Sequence, residues 1–260
     1  MEGLGIQDTE DDCTAALIPD ERAGGAGFLA QTWDMHASAV DFVVLLDIRP
    51  DDGLRALVLT TTGCLGQIGM NEAGVCIGIN NLMGSDGGVG VTWPHVVRRA
   101  LQCTTVEDAL ACIREAPLAG AHNYLLMGPD GTGYNVEAYT TAMHVTRLES
   151  DALVHTNHAL EAETIALSQD RPEDLQAASI ARLEQGRAAL AAHDVGFDEV
   201  AEMTRHPTLC YAAKPPLHLA TCGAVIMRPC TLDLWACEGR PDTNPYEHFS
   251  LAGSEAQAVP

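Results

Sequence analysis

Short apolar runs separated by turn residues dominate the first third of the chain. The runs lie at 14–18, 27–33, 41–49, 54–62, 64–70 and 75–80. Gly24-Gly25 and Pro50-Asp51-Asp52-Gly53 are among the turn signals between them. Strands that follow one another so closely, joined by tight turns, favour antiparallel pairing.

Helical spacing replaces this strand pattern twice further along the chain. Helices are predicted at about 93–102 and from Thr105, where Asp108 follows the threonine as in a capping box. A second helical block is predicted at 173–193 and 197–205. More strands are predicted at 122–128, 133–139, 142–147, 152–157, 218–228 and 231–238, before an irregular tail. Segregated blocks of this kind predict an α+β fold, in which two antiparallel sheets stack face to face with helices outside each.

Composition narrows the class of protein. A chain of 260 residues with 47% apolar residues has the size of one large core. The net charge of −22 argues against a nucleic-acid partner.

No apolar run has the length of a membrane helix, and the first residues lack the features of a signal peptide, so a cytoplasmic location is expected. The nine cysteines are scattered and form no Cys-x-x-Cys pair, so neither a disulfide framework nor a zinc site is expected.

Cys13 is the first candidate for chemistry. It follows Asp11-Asp12 and opens the strand-like run Thr14–Ile18. If the Asp12–Cys13 bond were cut, Cys13 would carry a free α-amine beside its thiol, which places nucleophile and base on one residue. The alternative is a small apolar cysteine that opens a buried strand.

Two further segments supply groups that such a nucleophile needs. Asp34 ends Gln31-Thr32-Trp33-Asp34, and its carboxylate could return to the α-amine if neighbouring strands pair; otherwise it is a turn or capping aspartate. In His155-Thr156-Asn157-His158, Asn157 could donate to an oxyanion, and the histidines could act as acid/base groups or ligands. The alternative is a set of satisfied polar groups at the end of a strand.

Six motifs resemble the isopenicillin-N acyltransferase (acyl-coenzyme A:6-aminopenicillanic acid acyltransferase) family, a family of autoproteolytic cysteine N-terminal-nucleophile (Ntn) hydrolases. They occur in order from Cys13 to about Glu247, nearly the whole chain. The motifs are Cys13-Thr14, Gln31-Thr32-Trp33-Asp34, Gly69-Met70-Asn71-Glu72-Ala73-Gly74-Val75, Ile79-Asn80-Asn81-Leu82, Val154-His155-Thr156-Asn157-His158 and Gly239-Arg240-Pro241-Asp242-Thr243-Asn244-Pro245.

The resemblance implies a four-layer αββα sandwich and a precursor that is cut between Asp12 and Cys13. Residues 1–12 would be the leader and 13–260 a single Ntn-hydrolase domain. Cys13 would be the nucleophile, Asp34 would orient its α-amine, and Asn157 would line the oxyanion hole. Substrate contacts are expected from four residues: Gln31, Trp33, His155 and Cys222. The chemistry needs no metal and no organic cofactor.

Three features depart from the family pattern. Asp12 stands where the family usually has a glycine before the nucleophile. Cys222 stands where the penicillin-forming members have an arginine, so a cationic contact for a substrate carboxylate is not expected there. Only twelve residues precede Cys13, fewer than the leader that forms a separate subunit in those members.

Three functions remain open from the sequence. The first is a cysteine Ntn acyltransferase or amidohydrolase that forms an acyl-enzyme and passes the acyl group to an amine or water. The second is a pure amide hydrolase of the bile-salt-hydrolase or penicillin V acylase kind, and the third is a non-catalytic αββα binding protein. The predicted partner is a small-molecule amide or acyl thioester; a cleaved leader subunit and a homo-oligomer are also open.

Overall fold

The computed structural model describes residues 12–191, 194–215 and 218–252. The predicted leader therefore lies outside the described residues, apart from Asp12. Thirteen strands are present in this part of the chain. They are β1 Asp12–Ile18, β2 Phe28–His36, β3 Val43–Ile48, β4 Ala56–Thr61, β5 Ile68–Asn71, β6 Cys76–Asn81, β7 His122–Met127, β8 Gly133–Ala138, β9 Met143–Arg147, β10 Leu153–His155, β11 Leu219–Arg228, β12 Asp233–Glu238 and β13 Glu247–Ser250.

These strands form two antiparallel sheets. A six-stranded sheet has the order β10-β1-β2-β11-β12-β13, and a seven-stranded sheet runs in chain order from β3 to β9. The described helices are α1 Trp93–Ala100, α2 Val106–Glu115, α3 Ala162–Ile165, α4 Glu173–Ala189 and α5 Phe197–Arg205, with short 3₁₀ turns at Asp20–Arg22 and Ala37–Phe42. The predicted cap of α2 is confirmed, because Thr105 Oγ1 accepts a hydrogen bond from the amide of Asp108 at 3.1 Å.

Three apolar clusters hold the sheets and helices together in four layers. One cluster fills the space between the sheets, a second packs α1 and α2 on the seven-stranded sheet, and a third packs α4 and α5 on the six-stranded sheet. The prediction of an α+β fold with two stacked sheets and helices outside each is confirmed.

Strand β1 lies inside the six-stranded sheet, and all seven of its residues are buried. Because side chains alternate along a strand, Cys13 and Leu17 belong to the cluster between the sheets, whereas Ala16 and Ile18 belong to the cluster under α4 and α5. Asp12 and Thr14 share the helix-facing side with Ala16. This alternation directs the Cys13 thiol between the sheets and the Asp12 carboxylate toward the helices.

The two sheets approach closely at Gln31 in β2. Its Oε1 accepts from the amide of Ile79 at 2.8 Å, and its Nε2 donates to the carbonyl of the same residue in β6. A Cβ at Gly78 would lie 2.6 Å from Gln31 Oε1, so only glycine leaves room for this contact. The side chain of Gln31 therefore ties one sheet to the other.

The strand β13 and the helix α3 differ from the sequence prediction. The tail predicted as irregular contains β13, which pairs with β12 as an edge strand. Its residue His248 stacks on Trp235, with ring centroids 5.0 Å apart. The one-turn helix α3 was also not predicted, since four residues carry too little periodicity to recognise.

Candidate active site

The Asp12–Cys13 peptide lies at the start of β1, where the strand enters the six-stranded sheet. In the ladder with β2, Asp12 is opposite Asp34 and Cys13 is opposite Trp33. In the next ladder Asp34 is opposite Thr221 of β11. Pairing of neighbouring strands thus brings Asp34 beside the bond that the sequence predicts to be cut.

Both backbone groups of Cys13 are held by distant side chains. Its amide donates to Asn157 Oδ1 at 2.8 Å, and its carbonyl oxygen accepts from Arg182 Nη1 at 2.6 Å. The residue is almost completely buried, and its thiol belongs to the cluster between the sheets. The backbone on the C-terminal side of the Asp12–Cys13 bond is therefore fixed in position.

The side-chain amide of Asn157 has one orientation that satisfies its partners. Its Oδ1 faces two donors, the Cys13 amide and Arg182 Nη2 at 3.0 Å, so this atom must be the oxygen. Nδ2 then donates to the carbonyl of Asn81 at 3.2 Å. Asn157 thus holds the nitrogen of the predicted nucleophile with its oxygen, and its amide nitrogen faces the carbonyl of Asn81.

Arg182 of α4 connects the groups around Cys13. Besides the Cys13 carbonyl, its guanidinium donates to Thr14 Oγ1 at 3.2 Å and to Tyr211 Oη at 3.1 Å. It also lies 3.1 Å from Asp12 Oδ1. Its side chain is fully buried, so its charge depends on protein groups for hydrogen bonds and for a counter-charge.

Asp34 is buried in this charged environment. Its Oδ1 accepts from Thr221 Oγ1 at 2.5 Å, and its Oδ2 has no hydrogen-bond partner among the described residues. Burial raises the pKa of Asp34 to about 7, with a further contribution from Asp12, although Arg182 and Thr221 oppose the rise. A carboxyl group with this pKa can both accept and release a proton near neutral pH.

Asp12 is held by two arginines on the helix side of the sheet. Its Oδ1 lies 2.9 Å from Nη2 of Arg171, which precedes α4, and 3.1 Å from Nη2 of Arg182. Arg171 also donates to the carbonyl of Asn157 at 2.6 Å. Asp12 is fully buried, so the residue before Cys13 is an anchored part of the site.

His155 contacts Glu137 between the two sheets. Its Nδ1 lies 2.8 Å from the carbonyl of Thr156, so this nitrogen carries a proton, and its Nε2 lies 2.8 Å from Glu137 Oε1 in β8. Glu137 also accepts from the amide of Leu160 at 2.7 Å. Burial alone would raise the pKa of Glu137, but the hydrogen bonds and charge of His155 bring it below its usual value. Both ring nitrogens of His155 therefore face oxygen atoms, and one of these belongs to a buried carboxyl group whose pKa is lowered.

His158 lies on the other side of the same loop. Its Nδ1 is 2.8 Å from Ser179 Oγ, the hydroxyl that also accepts from the amide of Asn157 at 3.0 Å. Burial, together with the positive charges of His155 and two arginines, lowers the pKa of His158 to about 4. Its imidazole is neutral at neutral pH.

Two cavities adjoin the Asp12–Cys13 region. One, of about 320 Å³, is lined by Asn157, His158 and Arg171 together with residues of the loop before α4. The other, of about 490 Å³, is lined by Asp12 and Tyr211 together with residues near the end of α5. Small molecules thus have space beside Arg171 in the first cavity and beside Asp12 in the second.

The four residues expected to contact substrate all have protein partners in the structure. Gln31 uses both amide atoms on Ile79, and His155 is paired with Glu137, as described above. Trp33 packs in the cluster between the sheets. Cys222 is the bulged residue where the ladder between β11 and β2 shifts register, and its thiol points at nearby carbonyl oxygens. Their role in substrate binding stays a prediction.

Four residues of the site were not predicted from the sequence: Glu137, Arg171, Arg182 and Thr221. One signal was present for Arg182, because Ser179 and Gly186 stand three and four residues from it and mark the same buried face of α4.

Within the described ranges 12–191, 194–215 and 218–252, no group of three or more His, Cys, Asp and Glu side chains is arranged to hold a metal ion. No helix in those ranges has the length and apolar character needed to cross a bilayer.

Two stacked antiparallel sheets between layers of helices are the fold of the Ntn hydrolases. The chain belongs to the acyl-coenzyme A:6-aminopenicillanic acid acyl-transferase family, whose profile matches residues 21–215. The matched stretch begins after Cys13, so the role of Cys13 as nucleophile stays a prediction.

A curated relative is the acyl-coenzyme A:6-aminopenicillanic-acid-acyltransferase 40 kDa form of Emericella nidulans. It is 23% identical over 158 residues, which are 60% of this chain and 43% of the relative. The chain thus spans less than half the length of this relative.

Solved structures of Ntn hydrolases share the fold at low sequence identity. A variant of the conjugated bile acid hydrolase from Clostridium perfringens aligns with a TM-score of 0.68 and 10% identity, over 94% of this chain and 95% of that chain. The Caenorhabditis elegans orthologue of N-acylethanolamine-hydrolyzing acid amidase gives 0.57 and 12%, over 84% and 93%. Penicillin V acylase from Agrobacterium tumefaciens gives 0.51 and 11%, over 87% and 82%.

Proposed function

We propose that the chain is a precursor that cuts its own Asp12–Cys13 bond and then acts as an acyltransferase or amidohydrolase with Cys13 as nucleophile. Residues 1–12 are the leader in this proposal, and residues 13–260 are the mature domain. The observation that carries it is the fixed Asp12–Cys13 peptide, whose flanking groups are bound by Asn157, Arg171 and Arg182.

Self-cleavage begins with attack of the Cys13 thiol on the carbonyl carbon of Asp12. The C–N bond breaks as the C–S bond forms, so the leader moves from nitrogen to sulfur, and water then hydrolyses the thioester. Asp34 is placed beside this bond by the β1–β2 ladder. With a pKa of about 7, it can exchange the proton that the Cys13 nitrogen gains when it becomes an amine.

The mature enzyme repeats the same chemistry on a small amide or thioester. The Cys13 α-amine takes the thiol proton, and the acyl group forms a thioester with the sulfur before transfer to an amine or water. Asn157 Nδ2 donates to the oxyanion, and Asp34 orients the α-amine. The family name and the names of the similar structures describe acyl transfer or hydrolysis of conjugates and amides, which supports this substrate class.

Intact-mass spectrometry of the full chain tests the cleavage step. Loss of residues 1–12 is expected in the wild type and in Cys230→Ala, which removes an exposed cysteine, but not in Cys13→Ala. A thiol-directed acyl probe should then label Cys13 in the cleaved protein, as read by peptide mapping. A chain that never cleaves and whose Cys13 resists the probe would contradict the proposal and favour a non-catalytic αββα protein.

A further inference from the structure

The carboxylate of Asp12 occupies a site built for an anion. Arg182 is fully buried and the side chain of Arg171 is 5% exposed, and both guanidinium groups lie within 3.1 Å of the same oxygen of Asp12. Cutting the chain before Cys13 would separate this carboxylate from the domain that carries both arginines. Another carboxylate could then make the same two contacts.

The geometry of attack ties this anion site to the acyl group. The Cys13 sulfur must attack the Asp12 carbonyl during cleavage and the substrate carbonyl during turnover. The carbonyl carbon of Asp12 and that of the substrate therefore occupy nearly the same place during attack. The side chain of Asp12 and the acyl chain of the substrate then extend into the same part of the protein. The side chain of Asp12 makes its acyl group a 2-aminosuccinyl group, with the carboxylate held by Arg171 and Arg182.

We infer that the place of the Asp12 side chain becomes the acyl site of the mature enzyme and selects amides of succinyl or aspartyl type, whose carboxylate replaces that of Asp12. The inference rests on the proposed function. It also explains why Asp12 stands where the family usually has a glycine, because an aspartate before the nucleophile has the same acyl group as the inferred substrate. In this inference Arg171 and Arg182 supply the positive charge for a substrate carboxylate. The position of Cys222, where the penicillin-forming members have an arginine, does not supply it.

The reaction on such a substrate is balanced without a cofactor. The Cys13 sulfur bonds to the succinyl carbonyl carbon, the C–N bond breaks, and the thiol proton leaves with the amine by way of the Cys13 α-amine. Water then splits the thioester, which releases succinate and restores the thiol.

Chemical rescue tests the anion site without any need for turnover. Full-length Asp12→Gly in a Cys13→Ala background removes the carboxylate and prevents cleavage. Acetate should raise the Tm of this variant in a saturable way, whereas acetamide, or sodium chloride at equal ionic strength, should not. The Cys13→Ala parent, which retains Asp12, should show no such rise, and adding Arg171→Gln should abolish it. Equal responses of all these chains to acetate would overturn the inference.

Kinetics of the self-cleaved enzyme test selectivity. Succinyl p-nitroanilide and butyryl p-nitroanilide have acyl chains of the same length and differ in the terminal carboxylate. The expected kcat/KM ratio favours the succinyl compound by at least about ten-fold, and Arg171→Gln should bring the ratio close to one. Equal turnover of both compounds by the wild type would overturn the inference while leaving the proposed function intact. Acetate rescue without turnover of any amide would instead count against the proposed function alone.

Discussion

The guanidinium of Arg182 and the carbonyl oxygen of Cys13 are joined by a hydrogen bond of 2.6 Å. The same side chain also bonds Asn157 Oδ1, which in turn holds the Cys13 amide. Two side chains that are far apart in sequence thereby hold both backbone groups of Cys13. Removal of the guanidinium would take this donor from the Cys13 carbonyl and would take from Asp12 one of its two arginine contacts.

The first prediction concerns this guanidinium. In the uncleaved Cys13→Ala chain, Arg182→Met should lower the free energy of unfolding by about 3–5 kcal/mol, because a buried charge partner of Asp12 is lost. Arg187→Met, at an exposed position on the same helix, should change it by less than about 0.5 kcal/mol. Urea denaturation followed by circular dichroism measures both. Equal effects of the two substitutions would show that Arg182 is not the centre of the network.

Local spacing in the sequence accounts for much of the fold but for only part of the candidate site. Short apolar runs bounded by turn residues predicted β1 and β2, and their pairing is what places Asp34 beside the Asp12–Cys13 bond. The motif with Asn157 gave the residue that contacts the Cys13 amide. These residues were accessible because each belongs to a short segment whose pattern is recognisable on its own.

Arg182 could not be assigned in the same way. Its role depends on how α4 packs against β1, and no motif within the helix specifies which strand lies beneath it. The edge strand β13 escaped prediction for a related reason, since Glu247 and His248 are exposed and lack the alternation typical of a half-buried strand. Both misses arise from tertiary packing, which local sequence patterns do not encode.

The second prediction is a pH dependence of stability caused by Asp34. Its pKa of about 7 in the folded chain, against an ordinary 3.8, means that the folded protein keeps a proton that the unfolded chain releases. The free energy of unfolding should therefore fall as pH rises from 4 to 7, by an amount on the order of 4 kcal/mol from this group. Asp34→Asn, which resembles the protonated side chain, should remove this contribution.

Urea denaturation at several pH values in the Cys13→Ala background measures the effect as a difference between two chains. Comparison of Asp34→Asn with its parent cancels the titration of groups common to both, including His158. Parallel stability curves for the two chains would contradict the raised pKa of Asp34.

The third prediction concerns the buried contact between Glu137 and His155. Both side chains are almost fully buried, so Glu137→Gln should lower the free energy of unfolding by about 3–5 kcal/mol, because it breaks a buried pair by changing one partner. The pair of His144 and Glu163 offers a matched control at the surface, with the same 2.8 Å separation. Glu163→Gln should cost less than about 1 kcal/mol. Thermal or urea denaturation of both variants decides whether burial makes the difference.

The last prediction separates the two functions of Asn157. Aspartate has the same shape and keeps an oxygen for the Cys13 amide and Arg182, but it lacks the Nδ2 donor that the oxyanion needs. Asn157→Asp should therefore fold with a loss of about 1–3 kcal/mol at the Asn81 contact. The kcat of the cleaved enzyme toward an acyl anilide should fall by about 10²–10³. Full activity in folded, cleaved Asn157→Asp protein would rule out its amide as the oxyanion donor, and the residue would then serve only to position Cys13.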